Sequence, residues 1–379
     1  MRVDKEQTIG KSEYYLSNLA GAATDYTLTV PKHMAAAAAG GEASLVQFLL
    51  TWAQGARTHA RLHLTPEYAE LSEYTRELFG LILALVADDA RTVDGKTEIS
   101  ELLREAGLVT LRRSQSLRPR GALKGPQIVI LCADSLNSPA SALLHDPDGK
   151  GQAKLKSAAA YDEVASAMLE ATLQQNQQIG AELVRAISGA VYELFRNTEE
   201  HGKLDQLGNV VRRSIRGIHA RRHELSPESL VRMAEESPPV ADYCRSLPTV
   251  HVAAAHVQLL EISVFDAGAG YASRFKGKPL AAMSAEDELA AVHECFAKHS
   301  TVKSDEGAGL GLCNLISILR RRSGFLRVRT GRYSLYADLS GEKDRAYGEP
   351  PELKHWRRHS RLLPETAGSL ITFFIPIIG

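Results

Sequence analysis

Three short motifs, in one order, constrain the fold of this 379-residue chain more than any other feature. They are Glu193-x-x-x-Asn197-x-x-x-His201, Asp266-x-Gly268-x-Gly270 and Gly307-x-Gly309-Leu310-Gly311-Leu312. Each sits on a legible element. From Ala181 to His201 the residues Leu183, Ile187, Val191 and Leu194 recur at steps of four, four and three, which predicts a helix with one buried stripe. Glu193, Asn197 and His201 fall on another face, one turn apart, and Gly202 offers a stop. Leu260, Ile262 and Val264 alternate with Glu261 and Ser263, predicting a strand with one packed face that runs out at Asp266. Leu312, Leu315, Ile316 and Leu319 follow the helical template, with Arg320, Arg321 and Arg322 in the last turn and Gly324 at the end.

These residue types suit a phosphate ligand. Asn197 can give an oxygen to Mg²⁺, a cation that prefers oxygen ligands and retains several waters. Glu193 can orient or deprotonate a water. Taken alone, that helix face also fits an ordinary solvated polar surface. Asp266, at a strand end, can accept a hydrogen bond from an exocyclic amino group, while Gly268 and Gly270 let backbone approach a ligand closely; a plain glycine-rich turn is the other reading. Gly307, Gly309 and Gly311 lie just before and at a helix N-terminus, where free N–H groups and the dipole favour an anion. No Gly-Lys-Ser/Thr follows them, and they make a poor dinucleotide fingerprint.

The ordered set resembles the GHKL superfamily of DNA gyrase, the large heat-shock chaperone, histidine kinases and the mismatch-repair protein MutL, over roughly residues 125–379. The resemblance implies an α+β chain with a Bergerat-type α/β sandwich and a mixed sheet at its C-terminal end. It implies ATP and Mg²⁺ as ligands: Glu193 as catalytic base, Asn197 as Mg²⁺ ligand and Asp266 on the adenine amino group, with Gly268 and Gly270 at the pocket floor. Gly307, Gly309 and Gly311 would line the phosphates, Lys303 would reach the γ-phosphate, and Ser369 would stand where the family's last strand carries Thr or Ser. His201 would make a phosphate contact. Tyr271 to Glu306 would be a lid over the nucleotide, with a helix capped by Ser284 and Asp287.

The chain departs from that pattern in two stretches, near 203–255 and 341–367, which read as insertions. The first carries Arg212, Arg213, Arg216, Arg221 and Arg222; the second carries Lys354, Trp356, Arg357, Arg358 and Arg361. Such residues can contact nucleic acid. Lys+Arg 45 against Asp+Glu 45 leaves no global steering toward it, so solvated helix faces or pairing with the protein's own acidic groups are preferred.

Residues 1–112 read as a separate small α/β module: strands at Asp25–Val30 and Ala60–Leu64, helices at Ser44–Ala53 and from Glu67 to Asp88. Its order of elements is faintly similar to STAS-type regulatory modules. An Arg-, Gly- and Pro-rich stretch at 113–124 reads as the linker, and Gln127–Ala133 as the first strand of the next unit, with a helix from Tyr161 to Gln178. Hydrophobic content of 44% is ample for packed cores, and Leu78–Ala87 is about half a membrane span. With Cys132, Cys244, Cys295 and Cys313 scattered and no signal-like start, a cytoplasmic protein without membrane contact is expected.

A self-phosphorylating histidine kinase needs its acceptor on a helical hairpin. The candidate His145 is followed by the turn-forming Asp146-Pro147-Asp148-Gly149, which disfavours that chemistry. The expectation is a stand-alone ATPase using ATP as a conformational switch, acting on a protein partner or a second copy. A protein kinase acting in trans on Ser or His and a non-catalytic ATP-dependent module are the alternatives.

Overall fold

The computed structural model describes residues 1–20, 27–56, 59–65, 70–136, 140–147, 153–173, 180–247, 257–296, 310–346, 349–357 and 362–377. Its central element is a seven-stranded sheet built from β4 (Gln127–Ala133), β7 (Ile215–Leu225), β8 (Val257–Phe265), β9 (Phe325–Gly331), β10 (Tyr333–Asp338), β11 (Lys354–His355) and β12 (Thr366–Pro376), in the order β11-β10-β9-β12-β8-β7-β4. Every pairing in it is antiparallel. The expected mixed sheet is therefore divided in two: parallel pairing occurs in a separate sheet of β1 (Thr27–Val30), β2 (Arg61–Leu64) and β3 (Asp89–Thr92). A small antiparallel hairpin of β5 (His145–Pro147) and β6 (Ala153–Leu155) follows β4.

The large sheet is covered on both faces, and its side chains sort by the two-residue period of a strand. On β4, Ile128, Ile130 and Cys132 join one core, while Val129, Leu131 and Ala133 join the other. The first core contains α6 (Tyr161–Thr172), α7 (Ala181–His201) and α12 (Leu310–Arg321). The second contains β1–β3 together with α2 (Gly41–Gly55) and α4 (Leu78–Val86). α1 (Ile9–Ala20) packs on α2, and α5 (Ser100–Ser114) packs on α4 and β4. The N-terminal residues thus share a continuous core with the back of the large sheet, and Ala122 and Leu123, in the stretch read as a linker, are buried.

Charge is buried in that interface as well as apolar surface. Glu13 of α1 bridges Arg327 (3.2 Å) and Arg329 (2.8 Å) of β9, all three nearly solvent-free. Burial raises the Glu13 carboxyl's pKa, but the two guanidiniums outweigh it and hold the group below the ordinary range. Glu42 of α2 pairs with Arg221 (2.5 Å), and Glu261 binds His223 (2.7 Å) and the Gly40 N–H (2.8 Å).

Two sequence expectations change here. Glu67 to Asp88 is not one helix: α3 (Leu71–Tyr74) ends, Glu77 is extended, and α4 begins at Leu78. The chain then packs closely on itself: a Cβ on Gly80 would meet the Tyr74 carbonyl. Within the stretch read as an insertion, residues 203–247 are described, and they are not a set of solvated helix faces. The basic run forms β7, an inner strand, followed by α8 (Pro227–Glu236) and α9 (Pro238–Ser246). Arg213, Arg216 and Arg221 face the protein's own acids, which is the pairing alternative rather than solvated helix faces: Arg213 bonds Asp88, and Arg216 bonds Asp134 through two 2.9 Å contacts. Among 341–367, Lys354 and His355 add the edge strand, and the Arg327 guanidinium lies 4.9 Å from the Trp356 ring. Arg358 and Arg361 lie outside the described residues.

Candidate functional site

The helix carrying the first motif spans Ala181–His201, the bounds its periodicity predicts. Ile187, Val191, Leu194 and Phe195 are buried in the core it shares with the sheet. Glu193 and Asn197 stand half-buried on another face. Glu193 is not an isolated carboxylate, because Arg196 lies 2.7 Å away on the same helix.

The end of α7 runs into the second motif. A Cβ placed on Gly268 would lie 2.9 Å from the carbonyl carbon, Cα and oxygen of Gly202, and one on Gly202 would lie 2.6 Å from Asp266 Cβ. Only glycines permit this approach of helix end to turn. His201 Nδ1 accepts from Arg274 Nε at 3.0 Å, so its proton sits on Nε2. Arg274 belongs to α10 (Tyr271–Lys276), which starts directly after Gly270.

Asp266 is 5% exposed and aligned with Ser369 across the β8–β12 pair. Its N–H donates to the Ser369 carbonyl (3.0 Å), its Oδ1 accepts the Gly268 N–H (2.9 Å), and its Oδ2 accepts a short bond from the Ser369 hydroxyl. Burial pushes the carboxyl up to about 6, overcoming the hydrogen bonds from Ser369 and Gly268 that favour the charged form. Strand alternation turns Phe265, Ala267 and Leu370 into the core behind the sheet, leaving Asp266 and Ser369 on the face of α7. Gly270, at φ +76°, places the next turn against Thr330, whose Oγ1 accepts the Tyr271 N–H (3.1 Å). Thr330, Arg274 and Gly202 complete this corner; in the sequence Gly202 reads only as a helix stop, and Thr330 and Arg274 carry no motif signal.

The third motif begins outside the described residues, which include neither Lys303, Gly307 nor Gly309; Gly311 lies in the first turn of α12. α12 and α7 run antiparallel: Arg321 reaches Glu182 at 3.5 Å, and Asn314 shares a groove with Gly189. Seven residues along α7, from 182 to 189, match seven back along α12, from 321 to 314.

Of the expected lid, residues 271–296 are described. They are anchored: α11 (Ala285–Phe296) is capped by the Ser284 hydroxyl (3.0 Å to the Asp287 N–H), and its buried Glu288 holds Arg332 at 2.6 Å. Tyr333 donates to the Ala285 carbonyl at 2.7 Å. Residues 297–306 lie outside the described residues.

Beside the motifs, Glu199 of α7 binds His145 (3.1 Å), Arg216 (2.6 Å) and Lys203 (3.1 Å). Burial raises its pKa, yet the His145 hydrogen bond and the Arg216 charge prevail and hold it well below the carboxylate range. His145 is 6% exposed and lies in the short strand β5, not on a helix.

Among the described residues, all four cysteines are free, no His/Cys/Asp/Glu cluster suits a metal ion, and no helix is long and apolar enough to cross a membrane. No family model, curated protein or solved structure matches the chain.

Proposed function

We propose that the chain binds Mg-ATP and hydrolyses it as a GHKL-type ATPase, using nucleotide binding as a conformational switch. The observation that carries this reading is the corner where the end of α7 meets the buried Asp266–Ser369 pair. Each Asp266 oxygen accepts one protein hydrogen bond, leaving acceptor capacity for an adenine amino group. Near neutral pH most of the carboxyl, at about 6, is in the accepting form.

The residues present fit a nucleotide with its metal. Gly202, Gly268 and Gly270 form a cradle that a Cβ would fill. Asn197 supplies the carboxamide oxygen that suits Mg²⁺, a cation needing one or two protein ligands besides phosphate and water. Magnesium, when bound, neutralises phosphate charge. Glu193, one turn before Asn197, is the group to hold and deprotonate the attacking water. Arg196, 2.7 Å away on the same helix, holds it in one orientation.

Phosphate release from Mg-ATP by the full-length protein, run beside Glu193→Ala, tests this. Release falling by about a hundredfold or more in the variant, with ATP still bound, is the expected result. Equal release from both would remove Glu193 from the chemistry. Binding without release from either would redirect the reading to a kinase acting in trans.

A further inference from the structure

The three motifs leave one polar stripe unexplained. On α2, Ser44, Gln47, Thr51 and Gln54 follow helical spacing within a helix that is otherwise mostly apolar and buried. Ser44 Oγ accepts from Arg327 (2.9 Å), and the other three reach the back of the sheet where the candidate base site is built. Gln47 Nε2 donates to the Arg329 carbonyl (3.0 Å) and to Thr366 Oγ1 (3.3 Å). Thr51 Oγ1 accepts the Ala367 N–H (3.1 Å) while donating to the Gln47 carbonyl (2.7 Å). Gln54 Nε2 donates to the Ala267 carbonyl through a short bond. Ala267 lies between Asp266 and Gly268, and Thr366 and Ala367 lead directly into Gly368 and Ser369.

We propose that Gln47, Thr51 and Gln54 are positioning residues for the nucleotide base, gripping from behind the two turns whose front carries Asp266 and Ser369. The inference rests on the reading of Asp266 as the group that accepts from adenine. A buried amide or carbonyl needs a partner, so deleting one of these side chains frees its turn to move toward another. The adjacent Gly202–Gly268 contact leaves no slack on the ligand side, and base recognition is sensitive to sub-ångström displacement. The N-terminal residues thereby set the geometry of a site to which they contribute no direct ligand.

Calorimetric titration of the full-length protein with ATP and with inosine triphosphate, which carries a carbonyl where adenine has its amino group, separates positioning from general support. Thr51→Val keeps the shape and removes the hydroxyl; Gln54→Leu removes the amide at a half-buried position near the end of α2. Each is expected to weaken ATP by about tenfold or more while changing inosine triphosphate binding less than twofold, the scale of one buried polar partner. Thr51→Ser should restore wild-type discrimination. Wild-type preference for ATP left intact in both Thr51→Val and Gln54→Leu overturns this proposal alone. Wild-type protein that binds both nucleotides equally overturns the Asp266 reading and this proposal with it.

Discussion

Asp266→Asn should stabilise the protein while weakening the proposed nucleotide binding. The carboxyl is raised from its ordinary 3.8 to about 6 by burial, so the folded state holds its proton more tightly than the unfolded chain. For such a group stability is greatest below pH 3.8 and declines as pH rises toward 6. The shift of 6 − 3.8 = 2.2 units, at 1.36 kcal/mol each, makes the ionised group about 3 kcal/mol costlier to the fold at neutral pH. Asparagine avoids that cost. Its oxygen can keep the Gly268 N–H and its amide can donate to the Ser369 hydroxyl, so both hydrogen bonds have a replacement. With an unfolding entropy of about 2.1 cal/mol/K per residue over 379 residues, 3 kcal/mol corresponds to about 4 °C in melting temperature. Thermal unfolding of both proteins from pH 4 to pH 8 tests this: the variant's advantage should grow from near zero to its full value by pH 7. A gap that is constant with pH, or a variant less stable than wild type at pH 7.5, would refute the reasoning.

The same titration predicts that ATP affinity falls about tenfold between pH 7 and pH 5, because binding needs the unprotonated carboxyl; calorimetry at the two pH values reads it directly. Gly202→Ala should abolish ATP binding and lower stability by about 1–3 kcal/mol, since its methyl would lie 2.6 Å from Asp266 Cβ. Urea denaturation and titration together report both effects. Glu13→Gln leaves Arg327 and Arg329 buried with their counter-charge gone, and should cost about 3–5 kcal/mol in the same denaturation assay. Expressing residues 125–379 alone should give aggregation, because Val129, Leu131, Ile215, Phe265 and Leu370 would lose the core that covers them; a soluble, cooperatively folding fragment would contradict the shared core.

The elements that could be read from sequence are those whose periodicity agrees with their burial. α7 and β4 have the bounds expected of them, because each is apolar where it is packed. β7 was illegible for the opposite reason. Its inward positions carry Arg216, His219 and Arg221, whose partners Asp134, Gln127 and Glu42 are remote in sequence, so a core strand reads as a basic insertion. The union of the N-terminal residues with the large sheet was equally hidden. The stripe of Gln47, Thr51 and Gln54 can be seen in the sequence, but what it faces is decided by packing. At the candidate site the motif residues were visible, whereas Gly202, Arg274 and Thr330 gain meaning only when the end of α7 is set against the Asp266 turn.

The central claim is that a nucleotide base is read at Asp266, and titration of Mg-ATP into the full-length protein beside Asp266→Asn is its most direct test. The account predicts one site per chain in the wild type and an affinity lower by about 1–3 kcal/mol in the variant, the scale of a buried polar partner lost. Absence of binding by the folded wild type, or equal affinity in the two proteins, would contradict it.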